Sequence, residues 1–339
     1  MTQAPNRNQQ FSRREFIGNA RLSVGAALVG VVGGVNVSDA QSDKGLYLDE
    51  AELLERLDTY GPFPPRRRRI VLISTGNDFE DHGPAMAPSS DTHFAQAFSA
   101  GASLRTGVRY LGNSPYTTDL AWPSARLFCP IAVSAREYFE RTTTYCSTLL
   151  NHLAPRPEGV VIHVPWHGQQ IMGERLNEFA RRLRVRKVHL VPDIVVDSIK
   201  RLKPDEYEQS AVRQLVREGI EGSHFQHCGL FDYCVAEALG HLDRAKLDQL
   251  RHEMETDLEG ALRRHPSVHN LAGYVRFGGP EFDSLRKALG LKPGDPLPPV
   301  DPKWQNSCAV TGRAMVKHTT DILVERILAF DRELFGAGV

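Results

Sequence analysis

From Ile70 to Val191 short apolar runs alternate with amphipathic helical patterns, and this alternation leaves the chain few ways to fold. Ile70–Ser74, Gly107–Leu111, Gly159–Val164 and Arg186–Val191 read as strands. Thr92–Leu104, Ala135–His152 and Gln169–Arg184 read as the helices between them, the last with Met172, Leu176, Phe179 and Leu183 on its apolar face. The first and third strand runs are apolar without polar alternation, the pattern of strands covered on both faces. Strand and helix in regular succession imply an α/β fold: a mostly parallel β-sheet flanked by helices. Right-handed connections bring the carboxyl ends of all strands to one edge, where the sites of such sheets form. Helical patterns at Pro204–Glu218, Phe231–Leu239, Arg244–Arg264 and Thr319–Leu334 continue the series, while the proline-rich stretch Pro280–Pro302 reads as a surface loop. No internal repeat is visible, so residues 66–339 are expected to form one domain.

Just beyond the first strand run lies Glu80-Asp81-His82-Gly83-Pro84, with Asp91 nine residues after His82. If Glu80 and His82 continue an extended chain they point the same way, so a carboxylate and an imidazole can converge on one cation. Mixed oxygen and nitrogen donors suit Zn²⁺, Mn²⁺ or Fe²⁺. Asp91 opens the next helical pattern and has two open roles, a return to the cation or the helix N-cap. The third strand run ends in Pro165-Trp166-His167-Gly168-Gln169, which puts His167 on the same sheet edge as Glu80 and Asp91. His163, inside that strand and apolar-flanked, reads as a core or second-shell histidine.

These segments together resemble the creatininase (creatinine amidohydrolase) family. Glu80, His82, Gly83, Pro84 and Asp91 are similar to its E-Q-H-G-P-H segment with following aspartate, and His167-Gly168 resembles its second histidine motif. Tyr110–Ser114 resembles the substrate-side loop, His227-Cys228-Gly229 the H-A-G segment, and Val310-Thr311-Gly312 a V-x-G segment that precedes the last helix. The resemblance implies a binuclear metal hydrolase acting on a carbon–nitrogen bond, often in a cyclic amide. It implies Glu80, Asp91 and His167 around one ion and His82 and Asp91 around another, with Zn or Mn as the metal, Fe a third option, and one or two ions per chain. The family's last ligand is a glutamate where this chain has Gln169, a neutral and weaker donor. Asp232 and Glu237 are the nearest replacement carboxylates. The resemblance also implies a homo-oligomer, with a hexamer as the family's form.

Such a cation lowers the pKa of its water from 15.7 to about 7 and polarises the carbonyl that the resulting hydroxide attacks. His227 and Asp232 are then the candidates for stabilising the oxyanion or moving the proton. At His227 a plain hydrogen-bonded histidine is the equal alternative. Trp166 and Ser114 are candidate substrate-pocket residues; Trp166 either stacks on a flat substrate or fills the core. Two further readings share these ligands: a lactone or sugar-ring hydrolase, and a non-catalytic periplasmic protein that keeps the fold and binds a metal or ligand.

Residues 1–40 carry Ser12-Arg13-Arg14-Glu15-Phe16, a twin-arginine export pattern, then 14 mostly apolar residues from Leu22 to Val35 and small residues ending at Ala40. A membrane span needs about 20 apolar residues, so a cleaved signal is expected rather than a stable anchor. The partners implied are the twin-arginine export machinery and a small-molecule substrate, and the expected location is periplasmic or secreted. Residues 41–65 read as an N-terminal arm. The full chain has 41 basic and 41 acidic residues; without residues 1–40 it keeps 37 against 39, which gives no electrostatic case for nucleic acid. The basic run Arg66–Arg69 is expected to be a solvated entry to the first strand. Five cysteines show no zinc spacing, and mostly free, buried thiols are expected, although Cys228 and Cys234 are near enough in sequence to pair.

Overall fold

The structure is a computed structural model that describes residues 63–118, 129, 131–165, 168–192, 194–203, 205–206, 227–228, 230–268, 287, 290–292, 295 and 304–336. The expected export signal and most of the N-terminal arm lie outside the described residues, as do Trp166, His167 and most of the segments read as Pro204–Glu218 and Pro280–Pro302.

Four strands form one sheet: β1 (Ile70–Thr75), β2 (Arg109–Ser114), β3 (Gly159–His163) and β4 (Lys187–Val191). Their order is β2-β1-β3-β4 and every neighbouring pair is parallel, with Ile70 opposite Gly159 and Ser74 opposite His163. The expected α/β architecture is therefore what the chain adopts. β1 and β3, the two unbroken apolar runs, are the central strands and are buried throughout. Successive side chains point to opposite faces, which divides the apolar residues between two layers. Val71, Ile73, Val160 and Ile162 pack on Tyr138, Phe139 and Leu150 of α2 (Ala135–Asn151), Met172 of α3 (Gln169–Glu174) and Phe179 and Leu183 of α4 (Leu176–Leu183). Ile70, Leu72 and Val161 pack on Ala102 of α1 (Ser90–Thr106) and on Ile322, Leu323, Ile327 and Phe330 of α9 (Trp304–Phe335).

A third cluster lies beside the sheet, where Phe94 and Phe98 of α1 meet Val195 and Ile199 of α5 (Val195–Lys200), Tyr233 and Val235 of α6 (Leu230–Ala238), Leu247 and Met254 of α7 (Arg244–Thr256) and Met315 of α9. Each such side chain contributes about 1.5–3 kcal/mol by leaving water. This cluster matters for the site because it seats α6 against the start of α1.

Several boundaries differ from the sequence expectation for physical reasons. The single helix read over Gln169–Arg184 is two, broken at Arg175, whose guanidinium covers the Phe139 ring at 3.6 Å and bonds Glu178. The helix read over Arg244–Arg264 breaks at Asp257, whose carboxylate accepts the Gly260 amide and caps α8 (Leu258–Arg264). Tyr110–Ser114 is strand β2 rather than a loop. Val310-Thr311-Gly312 lies inside α9 rather than before it. A Cβ at Gly312 would fall 1.8 Å from the Cys234 carbonyl oxygen, so this glycine serves the close crossing of α6 and α9. The Arg66–Arg69 run is not merely solvated: Arg66 and Arg67 pair with buried Asp331 of α9, and Arg69 pairs with Glu158 and lies over Phe335.

His163, at the end of β3, is a buried core histidine against Phe98 and Ser99, with Nδ1 3.2 Å from the Ser99 hydroxyl. Burial lowers its pKa from 6.5 to about 3. Above pH 6.5 the ring is neutral folded or unfolded and contributes nothing to the pH dependence. Between 6.5 and about 3 the unfolded chain takes up a proton that the folded chain refuses, so stability falls with pH by up to about 1.4 kcal/mol per unit. Urea unfolding at pH 7 and pH 5 is expected to show a loss about 2 kcal/mol smaller in His163→Gln than in the wild type. Equal losses in the two proteins would contradict this assignment.

A candidate metal centre at the carboxyl end of the first strand

The site grows from the end of β1. Gly76 follows this strand, its amide bonded to the Ser114 carbonyl of β2 at 3.1 Å. A Cβ there would meet the Thr92 Cα at 2.7 Å and the Asp91 carbonyl oxygen at 2.9 Å, both backbone. A glycine is what lets the first turn of α1 close on the sheet edge. The chain then loops through Asn77, Glu80 and His82 and is closed by the Glu80 amide on the Pro88 carbonyl at 3.1 Å.

Asp91 sits in the first turn of α1, with Ser89 at the N-cap position. Of its two expected roles the N-cap is thus excluded, and the acid still benefits from the positive end of the helix. Its Oδ1 lies 3.2 Å from His82 Nε2. From the other side come His227 and Cys228, in the turn before α6, and Asp232 on that helix. His227 Nδ1 is 3.0 Å from Glu80 Oε1, and the His82 and His227 rings are 4.4 Å apart. Glu80, His82, Asp91, His227 and Asp232 are all buried. Of the residues singled out by sequence, the structure therefore brings these five together across three segments.

Ring tautomers follow from the backbone. His82 Nδ1 is 3.1 Å from the Glu80 carbonyl and His227 Nε2 is 2.7 Å from the Asp81 carbonyl, so each of these nitrogens donates a proton to a main-chain oxygen. The other nitrogen of each neutral ring then turns a lone pair toward a carboxylate oxygen. Two acceptors at 3.0–3.2 Å repel unless a proton or a cation lies between them. A ring held through a backbone carbonyl with its second nitrogen directed at acid oxygens is how metal-binding histidines are oriented, so the donor types and tautomers fit a divalent cation. Among the described residues, no three His, Cys, Asp or Glu donors converge in the arrangement of a bound ion; they are paired instead.

Asp232 is the strained acid of the group. Burial, and then repulsion from Asp91, pushes its pKa up to about 7 against the attraction of His82 and His227. The carboxyl group therefore holds or yields a proton near neutrality. Cys228 has its Sγ 3.4 Å from His227 Nε2, and burial among carboxylates raises its thiol pKa well above the ordinary value, which keeps it a neutral thiol. Cys129, Cys146, Cys228 and Cys234 are all buried, and no disulfide joins Cys228 to Cys234. Ser114 is buried at the end of β2, and its hydroxyl makes no hydrogen bond among the described residues. Gln169 begins α3.

Two residues were missed by sequence. Asn77 donates from Nδ2 to Glu80 Oε2 at 2.9 Å and to Cys129 Sγ at 3.0 Å, while its Oδ1 accepts the Phe79 amide. That local turn is the one readable signal, since asparagine commonly bonds the amide two residues on. Tyr233 donates its hydroxyl to the His82 carbonyl at 3.3 Å across 151 residues, a contact with no sequence signature.

The fold and this cluster define an α/β protein with a buried centre of carboxylates and imidazoles at the carboxyl end of its parallel strands. Among solved structures it is similar to a mutant creatininase complexed with creatine, at 15% identity and a TM-score of 0.47 over 78% of this chain and 94% of that one. It is also similar to a creatininase Mn structure, at 16% identity and a TM-score of 0.45 over 82% and 96%, and to creatinine amidohydrolase (creatininase), at 17% and 0.44 over 84% and 98%. No protein-family model and no curated protein matches the chain.

Gly83, between His82 and Pro84, has φ +77°, and a Cβ there would lie 2.4 Å from Val268 Cγ1. Gly83→Ala is expected to cost about 1–3 kcal/mol in chemical denaturation. A change below about 0.5 kcal/mol would show that the loop is not held as described.

Proposed function

We propose that the protein is a metal-dependent hydrolase of carbon–nitrogen bonds in a small amide, with Glu80, Asp91 and His167 holding one ion and His82 and Asp91 a second. The observation that carries this reading is the double pairing of a main-chain-oriented imidazole with a buried carboxylate, His82 with Asp91 and His227 with Glu80. Zn²⁺ or Mn²⁺ suits such donors, with Fe²⁺ a third option. When bound, the cation supplies Lewis-acid polarisation of a carbonyl and acidifies water.

The chain's own residues supply the rest. The Asn77 amide fixes the Glu80 carboxylate, and the Glu80 and Asp81 carbonyls fix the two rings. Asp232 stands in electrostatic reach of His82, Asp91 and His227, where the family resemblance asks for a glutamate that Gln169 does not supply. With its carboxyl poised near neutrality it serves either as the missing anionic ligand or as the group that returns a proton to the leaving nitrogen. His227, against Glu80, is the second proton carrier. Tyr233 and the Phe94–Phe98 cluster hold the two halves of the site together.

One observation favours a competing reading. Among the described residues the donors stand in imidazole–carboxylate pairs, an arrangement that also suits a protein that binds a metal or ligand without hydrolysing it. Twin-arginine export to the periplasm and a cleaved signal over residues 1–40, supported by Arg13-Arg14 and the small residues before Gln41, complete the proposal, with assembly into a homo-oligomer resting on the family resemblance. No helix among the described residues is long and apolar enough to cross a membrane.

Metal analysis of the purified protein, with hydrolysis assays over cyclic amides, formamides and lactones, separates the readings. The wild type is expected to carry one or two ions and to cleave amides. Glu80→Gln and His82→Ala are expected to lose both, and Asn77→Ala to weaken metal binding by about 10-fold. Wild-type metal content and activity in Glu80→Gln and His82→Ala would refute the site; a single tight ion with no hydrolysis would favour the binding reading.

A further inference from the structure

Arginines gather at the amino edge of the sheet, opposite the edge that carries the candidate site. One residue before β1, β3 and β4 the chain passes form a row: the Glu158 amide donates to the Arg69 carbonyl and the Arg186 amide to the Glu158 carbonyl, both at 2.8 Å. The turn between α4 and β4 adds Arg181 and Arg184, joined by the Arg184 amide on the Arg181 carbonyl at 3.1 Å, and Arg156 bonds the Leu183 carbonyl at 2.8 Å. Acids bonded at this edge are already taken, Glu158 by Arg69, Glu333 by Lys187 and buried Asp331 by Arg66 and Arg67. Exposed Arg181, Arg184 and Arg186 have no carboxylate partner among the described residues, whereas Arg175, Arg182 and Arg201, on or beside the flanking helices, each pair with a glutamate. Arg184 also ends α4 at φ +54°, a left-handed position that glycine takes freely. Strain at an exposed turn points to a use for the side chain.

We propose that this edge docks on an anionic membrane surface, with its unpaired arginines against the phosphates of lipid headgroups. The attraction is local, since outside residues 1–40 the chain has 37 bases against 39 acids and no general pull toward anions. Arginine suits the task because its planar fork meets two phosphate oxygens at once. A membrane is favoured over nucleic acid by where the chain enters. Pro65–Arg69 leads directly into β1, and a Cβ on Gly107, just before β2, would lie 2.3 Å from the Phe63 ring, so the described chain begins at this same edge. Residues 1–62 are therefore tethered here, among them the mostly apolar stretch from Leu22 to Val35. A basic edge and an apolar stretch on one tether answer to the headgroups and the hydrocarbon of one membrane, and nucleic acid offers nothing to the second. This tether argument rests on the export reading; the basic edge does not. With the amino edge on the lipid, the edge that carries Glu80 and His82 faces away from it.

Co-sedimentation of the full chain with two kinds of vesicle tests this, phosphatidylcholine alone and a two-to-one mixture of phosphatidylcholine and phosphatidylglycerol. The wild type is expected to bind the mixed vesicles at least about 10-fold more tightly, an excess that disappears at about 1 M salt, where the Debye length is about 3 Å. Arg184→Glu with Arg186→Glu is expected to lose most of the excess. Arg263→Glu with Arg313→Glu, an equal change of charge at exposed positions on α8 and α9, is expected to keep it. Arg184→Gly is expected to bind about 5-fold more weakly while melting no lower than the wild type, which separates binding from folding. Equal affinity for the two vesicles, or equal losses in the two double variants, overturns the proposal. So does a short DNA duplex bound more tightly than the mixed vesicles, or a sedimentation mass that falls in the Arg184 and Arg186 variant, since the edge would then read nucleic acid or join copies of the chain. Binding as expected in a protein absent from the periplasmic fraction leaves the docking edge standing and refutes export. Periplasmic protein with no preference for the mixed vesicles does the reverse.

Discussion

Two carboxylates buried against two imidazoles set the terms for the rest of this molecule. Glu80 with His227 and Asp91 with His82 lie at 3.0–3.2 Å, all four residues buried. An isolated buried ion costs several kcal/mol after relaxation, and a pair repays that cost only in good geometry with its other hydrogen bonds made. Those conditions are met from separate parts of the chain. The Glu80 and Asp81 carbonyls come from the loop after β1, Asp91 from the first turn of α1, and His227 from the turn before α6. Asn77 and Tyr233 complete the set. The fold is needed to bring three segments, otherwise mutually repulsive in their acids, to one point.

Close backbone packing makes that convergence possible. Gly76 lets the start of α1 close on the sheet edge, and Gly312 lets α9 cross α6 at the Cys234 carbonyl. The first places Asp91 and the second places the helix that carries Asp232. Gly76 lies against the backbone of Asp91, and Gly312 against that of Cys234. The acid on α6 shows how tight the result is, since burial and the neighbouring Asp91 carry its pKa to about 7 even with two imidazoles opposing them.

The sheet was legible because β1 and β3 are unbroken apolar runs, and period and length alone identify strands of that kind. Glu80, His82 and Asp91 were legible because they are close in sequence and follow such a run. His227 and Asp232 were named through resemblance, and their meeting with Glu80 and Asp91 depends on a tertiary contact that no local pattern encodes. Helix breaks at Arg175 and Asp257 escaped notice because each is set by one side chain's choice of partner, Phe139 and the Gly260 amide. Gly312 was misplaced for the same reason: a glycine in a helix and one before it look alike until the crossing helix is known. Asn77 had a readable turn, but its second partner, Cys129, lies 52 residues away.

Anomalous diffraction at the zinc edge, from crystals of the full chain grown with zinc, tests the central claim most directly. The account predicts a peak in contact with Glu80, His82 and Asp91, with the His82–Asp91 pair opened from its 3.2 Å separation. Both pairs intact, with no peak among these side chains at saturating zinc, would contradict it.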